Sequence, residues 1–213
     1  MVLEGLWVTA RIAFFGFLIG IVLGSIVAIV NIASRRSKVA KGFNVVGNIY
    51  TGFFRGTPIV VQLLLAHFVI FPILGINIDS LLEAILIFGL NSGAYVSEVM
   101  RSGILSVDVG QLEAGRAVGL SYTTTMTRIV LPQAFKNALP SLGNELIALV
   151  KDTSVVSFIA IIDLTQAFRL LGAGAYEYFV PYIILALFYL VIVLALTFII
   201  KALERRLRKG DRR

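Results

Sequence analysis

Residues 12 to 33 read IAFFGFLIGIVLGSIVAIVNIA, 22 positions without a charged side chain. At 1.5 Å per residue a helix over this stretch is about 33 Å long, enough to cross a hydrocarbon core of about 30 Å. Apolar and polar residues do not alternate with period two as along a barrel strand, so the stretch is expected to be a helix that satisfies its own backbone groups. Four more stretches of this kind follow, at about Tyr50–Ile73, Leu81–Met100, Ala138–Ile162 and Phe179–Ala202. The expected fold is all-α, with five transmembrane helices in a single domain over residues 1–213. Glu4 stands where a signal peptide would be basic, and the first stretch exceeds a signal core of roughly 7 to 15 residues. It is therefore expected to stay in the mature chain as a span.

Hydrophobic residues make up 58% of the 213 and charged residues 15%, against about 45–50% and 25% in soluble domains. A soluble enzyme is excluded on that ground. There is no cysteine and one histidine, which leaves no disulfide framework, no thiolate nucleophile and no Cys- or His-based metal site. The net charge of +7 is concentrated in particular connections. Arg35, Arg36, Lys38 and Lys41 follow the first span, and Arg101, Arg116, Arg128 and Lys136 surround the connection between the third and fourth. Lys201, Arg205, Arg206, Arg208, Lys209, Arg212 and Arg213 close the chain. The opposite connections hold Arg169 beside Asp79, Asp163 and Glu177. By the positive-inside rule the N-terminus is outside and the C-terminus cytoplasmic. The basic tail reads as a headgroup anchor rather than a nucleic-acid patch.

The connection over residues 102–137 is too long for a turn. Asp108 and Gln111 have capping-box spacing, helix formers follow, and Gly119 sits where a left-handed C-cap belongs. A short cytoplasmic helix is predicted, either packed on its own protein or presented to a cytoplasmic partner.

Glu113-Ala114-Gly115, three residues, Gly119, nine residues and Ile129-Val130-Leu131-Pro132 resemble the EAA loop of ABC-importer membrane subunits. The departure is Gly115 where the pattern has its second alanine. Arg55-Gly56-Thr57-Pro58 with Gln62, Gly93-Ala94-Tyr95 with Glu98 and Arg101, and Lys151-Asp152-Thr153-Ser154 resemble the polar amino-acid uptake branch of that family. The resemblance implies a type I importer permease in the cytoplasmic (inner) membrane of a prokaryote. It also implies a second permease subunit, identical or homologous, two copies of an ABC ATPase and an extracytoplasmic binding protein. The short helix becomes the coupling helix, with Glu113, Ala114, Gly115, Gly119, Leu131 and Pro132 as its ATPase-coupling residues. No Gly-x-x-x-x-Gly-Lys-Ser/Thr loop occurs in the chain. ATP and Mg are accordingly expected on the ATPase, with no cofactor here and no catalytic residue.

Charges inside spans cost about 2.5–3.5 kcal/mol each on insertion scales, so they face partners or a water-filled path. Asn91, Tyr95 and Glu98 are spaced i, i+4, i+7 on one face of the third span. Glu145 and Asp152, seven apart, share a face of the fourth, with Asn144 and Lys151 alongside. The polar run from Lys151 through Thr153 suggests a broken helix whose free backbone groups bind a zwitterion. Substrate-binding candidates are Asn91, Tyr95, Glu98, Glu145, Asp152 and Thr153. Acids outnumber bases among these groups, which favours a cationic amino acid (arginine, lysine or histidine) over a neutral polar one such as glutamine. The competing reading pairs Lys151 with Asp152 or Glu145, and Arg101 with Glu98, as structural bridges.

His67 reads as a hydrogen-bonded packing residue rather than a proton relay, and Gln62 as a pathway residue or an interhelical hydrogen bond. Arg11 beside Trp7 is expected to anchor at the interface, Gly16, Gly20 and Gly24 to pack helices closely, and Tyr176, Tyr178 and Tyr182 to form an aromatic belt. An ion-coupled transporter using Glu98, His67 and Glu145 is the rival function. It lacks the internal inverted repeat usual in such folds. A membrane enzyme lacks any nucleophile–base constellation.

Overall fold

The computed structural model describes residues 1–34 and 38–209. Arg35, Arg36, Arg212 and Arg213, which entered the orientation reading, lie outside the described residues. Ten α-helices follow one another among those described: α1 (Val2–Ala33), α2 (Lys38–Gly56), α3 (Ile59–Leu65), α4 (Phe71–Ile73), α5 (Ser80–Leu105), α6 (Val109–Ala117), α7 (Tyr122–Thr125), α8 (Leu131–Asp152), α9 (Leu164–Ala175) and α10 (Phe179–Lys209). π-helical turns over Ala66–Ile70 and Met126–Val130 join α3 to α4 and α7 to α8, and a 3₁₀ segment, Thr153–Ile159, continues α8.

The tightest pair is α1 with α5, and glycine makes the approach possible. A Cβ built on Gly16 would lie 3.2 Å from Phe88 Cβ, one on Gly20 2.5 Å from Ser92 Oγ, and one on Gly24 2.7 Å from Ser97 N. The residue offset stays near constant along the contact, so α1 and α5 run parallel and the chain crosses back between them. Gly103 meets Ala134 and Ala138 while Phe88 and Leu149 share the Gly16 contact, so α8 runs antiparallel to α5. One core cluster forms where Ile12, Leu63, Phe88, Leu149 and Val156 bring these helices together.

The crossing between α1 and α5 is not the single helix expected over Tyr50–Ile73. α2 and the helical segment Ile59–Ile73 meet at 107°. Pro58 is the cause, because it has no N–H to give the carbonyl four residues back and disfavours helix at Thr57. Among the described residues, α1, α5 and α10 are each long and apolar enough to cross a membrane, and the bent segment qualifies as a fourth only when its two arms count as one span. α8 falls short because Asn137, Asn144, Glu145, Lys151 and Asp152 dilute it. At its end the winding changes from α to 3₁₀ at Thr153, and Ala160 turns left-handed at φ 61°. Asp163 then caps α9 by accepting from the amides of Gln166 and Thr165 (2.9 and 3.0 Å). Burial pushes its carboxyl up, and those amides pull it part of the way back.

Candidate functional site

Two polar stripes face outward from the α5–α8 pair. On α5, Tyr95 and Ser102 are exposed and Glu98 is half-buried, and the exposed Ser106 caps its C-terminal end. On α8, Asn137, Ser141, Asn144, Lys151 and Asp152 are exposed and Glu145 is half-buried, all within about 120° of one another at 100° per residue. Elsewhere the exposed surface of the spans is apolar, through Phe14, Leu18, Val22 and Ile26 on α1 and Leu187, Leu190, Leu194 and Phe198 on α10. Lipid suits those faces but not the α5–α8 stripes, whose polar groups would be unsatisfied in hydrocarbon.

Glu98 is not a bare carboxylate. Arg101 Nε donates to its Oε2 at 3.1 Å and Arg101 Nη2 to its Oε1, while Arg55 Nη1 stands 3.9 Å from Oε2. The Arg55 guanidinium also lies 5.8 Å from the centre of the Tyr95 ring, a cation–π arrangement. The structure thus forms the Arg101–Glu98 bridge and adds Arg55 to it. No ion pair within 4.0 Å joins Lys151 to Asp152 or Glu145 among the described residues.

Two expected lining residues lie elsewhere. Asn91 is 5% exposed, and its Nδ2 donates to Gln62 Oε1 at 2.9 Å and to Phe54 O at 3.3 Å. Gln62, equally buried, donates through Nε2 to Phe54 O, Thr57 O and Thr57 Oγ1, each at 2.9 Å. Phe54 O is the carbonyl that Pro58 leaves without a helical donor. The two amides therefore satisfy the broken backbone and fix the bend, so Asn91 serves as a clamp and Gln62 as its interhelical partner. Thr153 is fully buried and turns its hydroxyl back onto Val150 O at 2.7 Å, because the change of winding points it inward.

The connection over residues 102–137 carries the expected short helix, α6. Asp108 caps α6 through Gly110 N at 2.7 Å, while Gln111 meets Gln133 instead of closing the capping box. Gly119 has φ +86°, and Leu120 N donates to Gly115 O at 3.0 Å, a Schellman closure. Glu113 and Ala114 are exposed, Leu131 is half-buried and Pro132 opens α8. Gly115 is the buried position of α6, and the Thr125 side chain fills the space its methyl would need. The departure from the second alanine is therefore a packing requirement.

Sequence reasoning passed over Glu83. It is 3% exposed in the first turn of α5, with Oε2 2.8 Å from His67 Nδ1 and Oε1 without a partner. An acid within an apolar run was the available signal. His67 is delivered to it by the π-helical turn, which rotates the side chains that follow.

Three membrane-length helices, a polar face between one of them, α5, and the less apolar α8, and the exposed short helix α6 are the features of a membrane permease. The chain belongs to the family of binding-protein-dependent transport system inner membrane components, whose model matches residues 20–209, the permease subunits of ABC importers. The arginine transport system permease protein ArtQ of Bacillus subtilis is 42% identical over 210 residues, covering 99% of this chain and 94% of that protein. A putative glutamine transport system permease protein, GlnP of Rickettsia felis, is 37% identical over 206 residues, covering 97% and 92%. The crystal structure of an amino acid ABC transporter with histidines superposes with a TM-score of 0.87 at 36% identity, covering 96% of this chain and 93% of that one.

Proposed function

We propose that this permease carries amino acids inward, cationic ones in preference, through the face formed by α5 and α8. The observation that carries the preference is the pair Glu145 and Asp152, which lie on the polar stripe of α8 with no ion pair within 4.0 Å among the described residues. A carboxylate without a contact ion pair in a low-dielectric path attracts a cationic side chain and gives a neutral one less. Tyr95 and Glu98 border the same path, and Asn91 and Thr153 act as positioning residues behind it. The relatives named for arginine and glutamine fit an amino-acid substrate of either charge class. Glu98, already held by two arginines, favours the neutral reading to that extent.

In this reading the chain crosses five times, with α2–α4 as one bent crossing and α8 with its 3₁₀ extension as another. The N-terminus is outside and the C-terminus cytoplasmic. Two such subunits flank the path, an extracytoplasmic binding protein delivers substrate, and two ABC ATPases receive α6. Glu113 and Ala114 meet the ATPase, while Gly115, Gly119, Leu131 and Pro132 hold the helix at a fixed angle to α8. Nucleotide-driven closure of the ATPases then moves α8 against α5. ATP and Mg are bound by the ATPase, not by this chain.

The test is uptake of arginine and glutamine by the reconstituted complex carrying Glu145→Gln with Asp152→Asn. Arginine uptake at low concentration is expected to fall about tenfold relative to glutamine, equivalent to ~1.4 kcal/mol of lost selectivity. Equal losses for both would make the two acids structural.

A further inference from the structure

Below Glu145, toward the cytoplasmic end of the α5–α8 pair, the two stripes separate around a cavity of about 340 Å³ lined by Glu98, Ser102, Ser106, Asn137 and Ser141. Its size falls in the range of about 300–1,000 Å³ typical of small-molecule sites. Its floor is bridged where Asn137 Nδ2 donates to Ser106 Oγ at 3.0 Å and where Gly103 packs so closely on α8 that a Cβ would lie 2.7 Å from Ala134 O. We propose that this cavity is a second station for the transported amino acid, which binds the α-ammonium and α-carboxylate common to all amino acids. This inference rests on the amino-acid reading above.

The chemistry of the lining supports a head-group site. Glu98 supplies one carboxylate for an ammonium, oriented by Arg101 and Arg55 on its far side, and those guanidiniums keep the local charge from repelling a carboxylate. The hydroxyls of Ser102 and Ser141 and the second Nδ2 hydrogen of Asn137 supply neutral donors for the carboxylate, while Ser106 spends its hydrogen on Gly103 O at 2.8 Å. No second acid lines the cavity to select a cationic side chain, so selection falls to Glu145 and Asp152. Ser141 lies four residues from Glu145, about 6 Å along the helix axis, close enough for a side chain to leave the upper pair as its head group settles below. Asn137 follows Pro132 by five positions, so a displacement of α6 that pulls on the start of α8 strains the Asn137–Ser106 bond and opens the floor.

The chain has no cysteine, so Ser141→Cys, Ser102→Cys and, on the α7 surface as a control, Thr123→Cys each place one thiol in it. Labelling by a small polar methanethiosulfonate, read on this chain by mass spectrometry in the complete complex without nucleotide, is measured with L-arginine and L-glutamine. The amino acid that the complex imports, at ten times its Kd, should slow labelling of Ser141→Cys and Ser102→Cys about tenfold, as 1 + [L]/Kd requires, and leave Thr123→Cys unchanged. The same protection in a Glu145→Gln, Asp152→Asn background, at an adjusted concentration, would show that the lower station binds on its own. If an imported amino acid leaves both rates unchanged, the station does not exist. If neither is imported, the assay is run with L-lysine and L-histidine, and import of none of the four means that the amino-acid reading fails and takes this inference with it.

Discussion

Replacing Gln62 with leucine keeps the volume near constant but removes the three bonds that its Nε2 donates at the bend. Phe54 O would keep only the 3.3 Å contact from Asn91, and Thr57 O would lose the 2.9 Å bond from Gln62. Asn91 Nδ2 would in turn lose its 2.9 Å acceptor. A buried polar group left unsatisfied costs about 1–3 kcal/mol, so Thr57 O alone costs about that much, while Phe54 O keeps Asn91 as a donor. For a chain of this size a loss of 1 kcal/mol lowers the melting temperature by roughly 2–4 °C, so a fall of about 2 °C or more is expected. Intrinsic tryptophan fluorescence during a thermal ramp in nanodiscs, with Trp7 as the one tryptophan of this chain, reports it. Asn91→Leu alone should cost less, and the double variant should cost clearly less than the sum because the two amides form one network. A Gln62→Leu protein melting within about 1 °C of the parent, or additive behaviour in the cycle, would refute the clamp.

Gly115→Ala should weaken co-purification with the ATPase because its methyl meets Thr125, and adding Thr125→Ala should restore it. Failure of the second change to rescue would mean that α6 is not held through this contact. His67→Ala removes the partner of a buried carboxylate, a class of change that costs about 3–5 kcal/mol. Melting should fall sharply, and His67→Ala with Glu83→Gln should recover part of the loss. Gly119→Val forces a β-branched residue to φ +86° and should uncouple ATP hydrolysis from uptake while membrane insertion stays normal. Preserved coupling would show that the loop tolerates another turn.

α1 and α10 were legible because an unbroken apolar run has one outcome in lipid. Gly119 was legible too, since a glycine after a helix-forming stretch points to a left-handed cap, and the structure places it there. The bend at Pro58 was harder to see. Apolar residues flank it on both sides, so hydropathy reads Tyr50–Ile73 as one span although proline cannot donate at the break. The spacing of Asn91, Tyr95 and Glu98 sets them along one side of α5, but spacing says nothing of what covers a side. Asn91 is closed over by a residue 29 positions away, whereas Tyr95 stays exposed. Glu83 was missed for the same reason, its histidine partner lying across a bend. The Ser102, Ser106, Asn137 and Ser141 cavity needs two helices in register before it exists at all.

The most direct test of the account is uptake into proteoliposomes by this chain assembled with its ATPase and binding protein, with internal ATP present or absent, across basic, neutral and acidic amino acids. The account predicts ATP-dependent uptake, unaffected when ion gradients are collapsed, with arginine, lysine or histidine transported best. Uptake that runs on an ion gradient without ATP would contradict it.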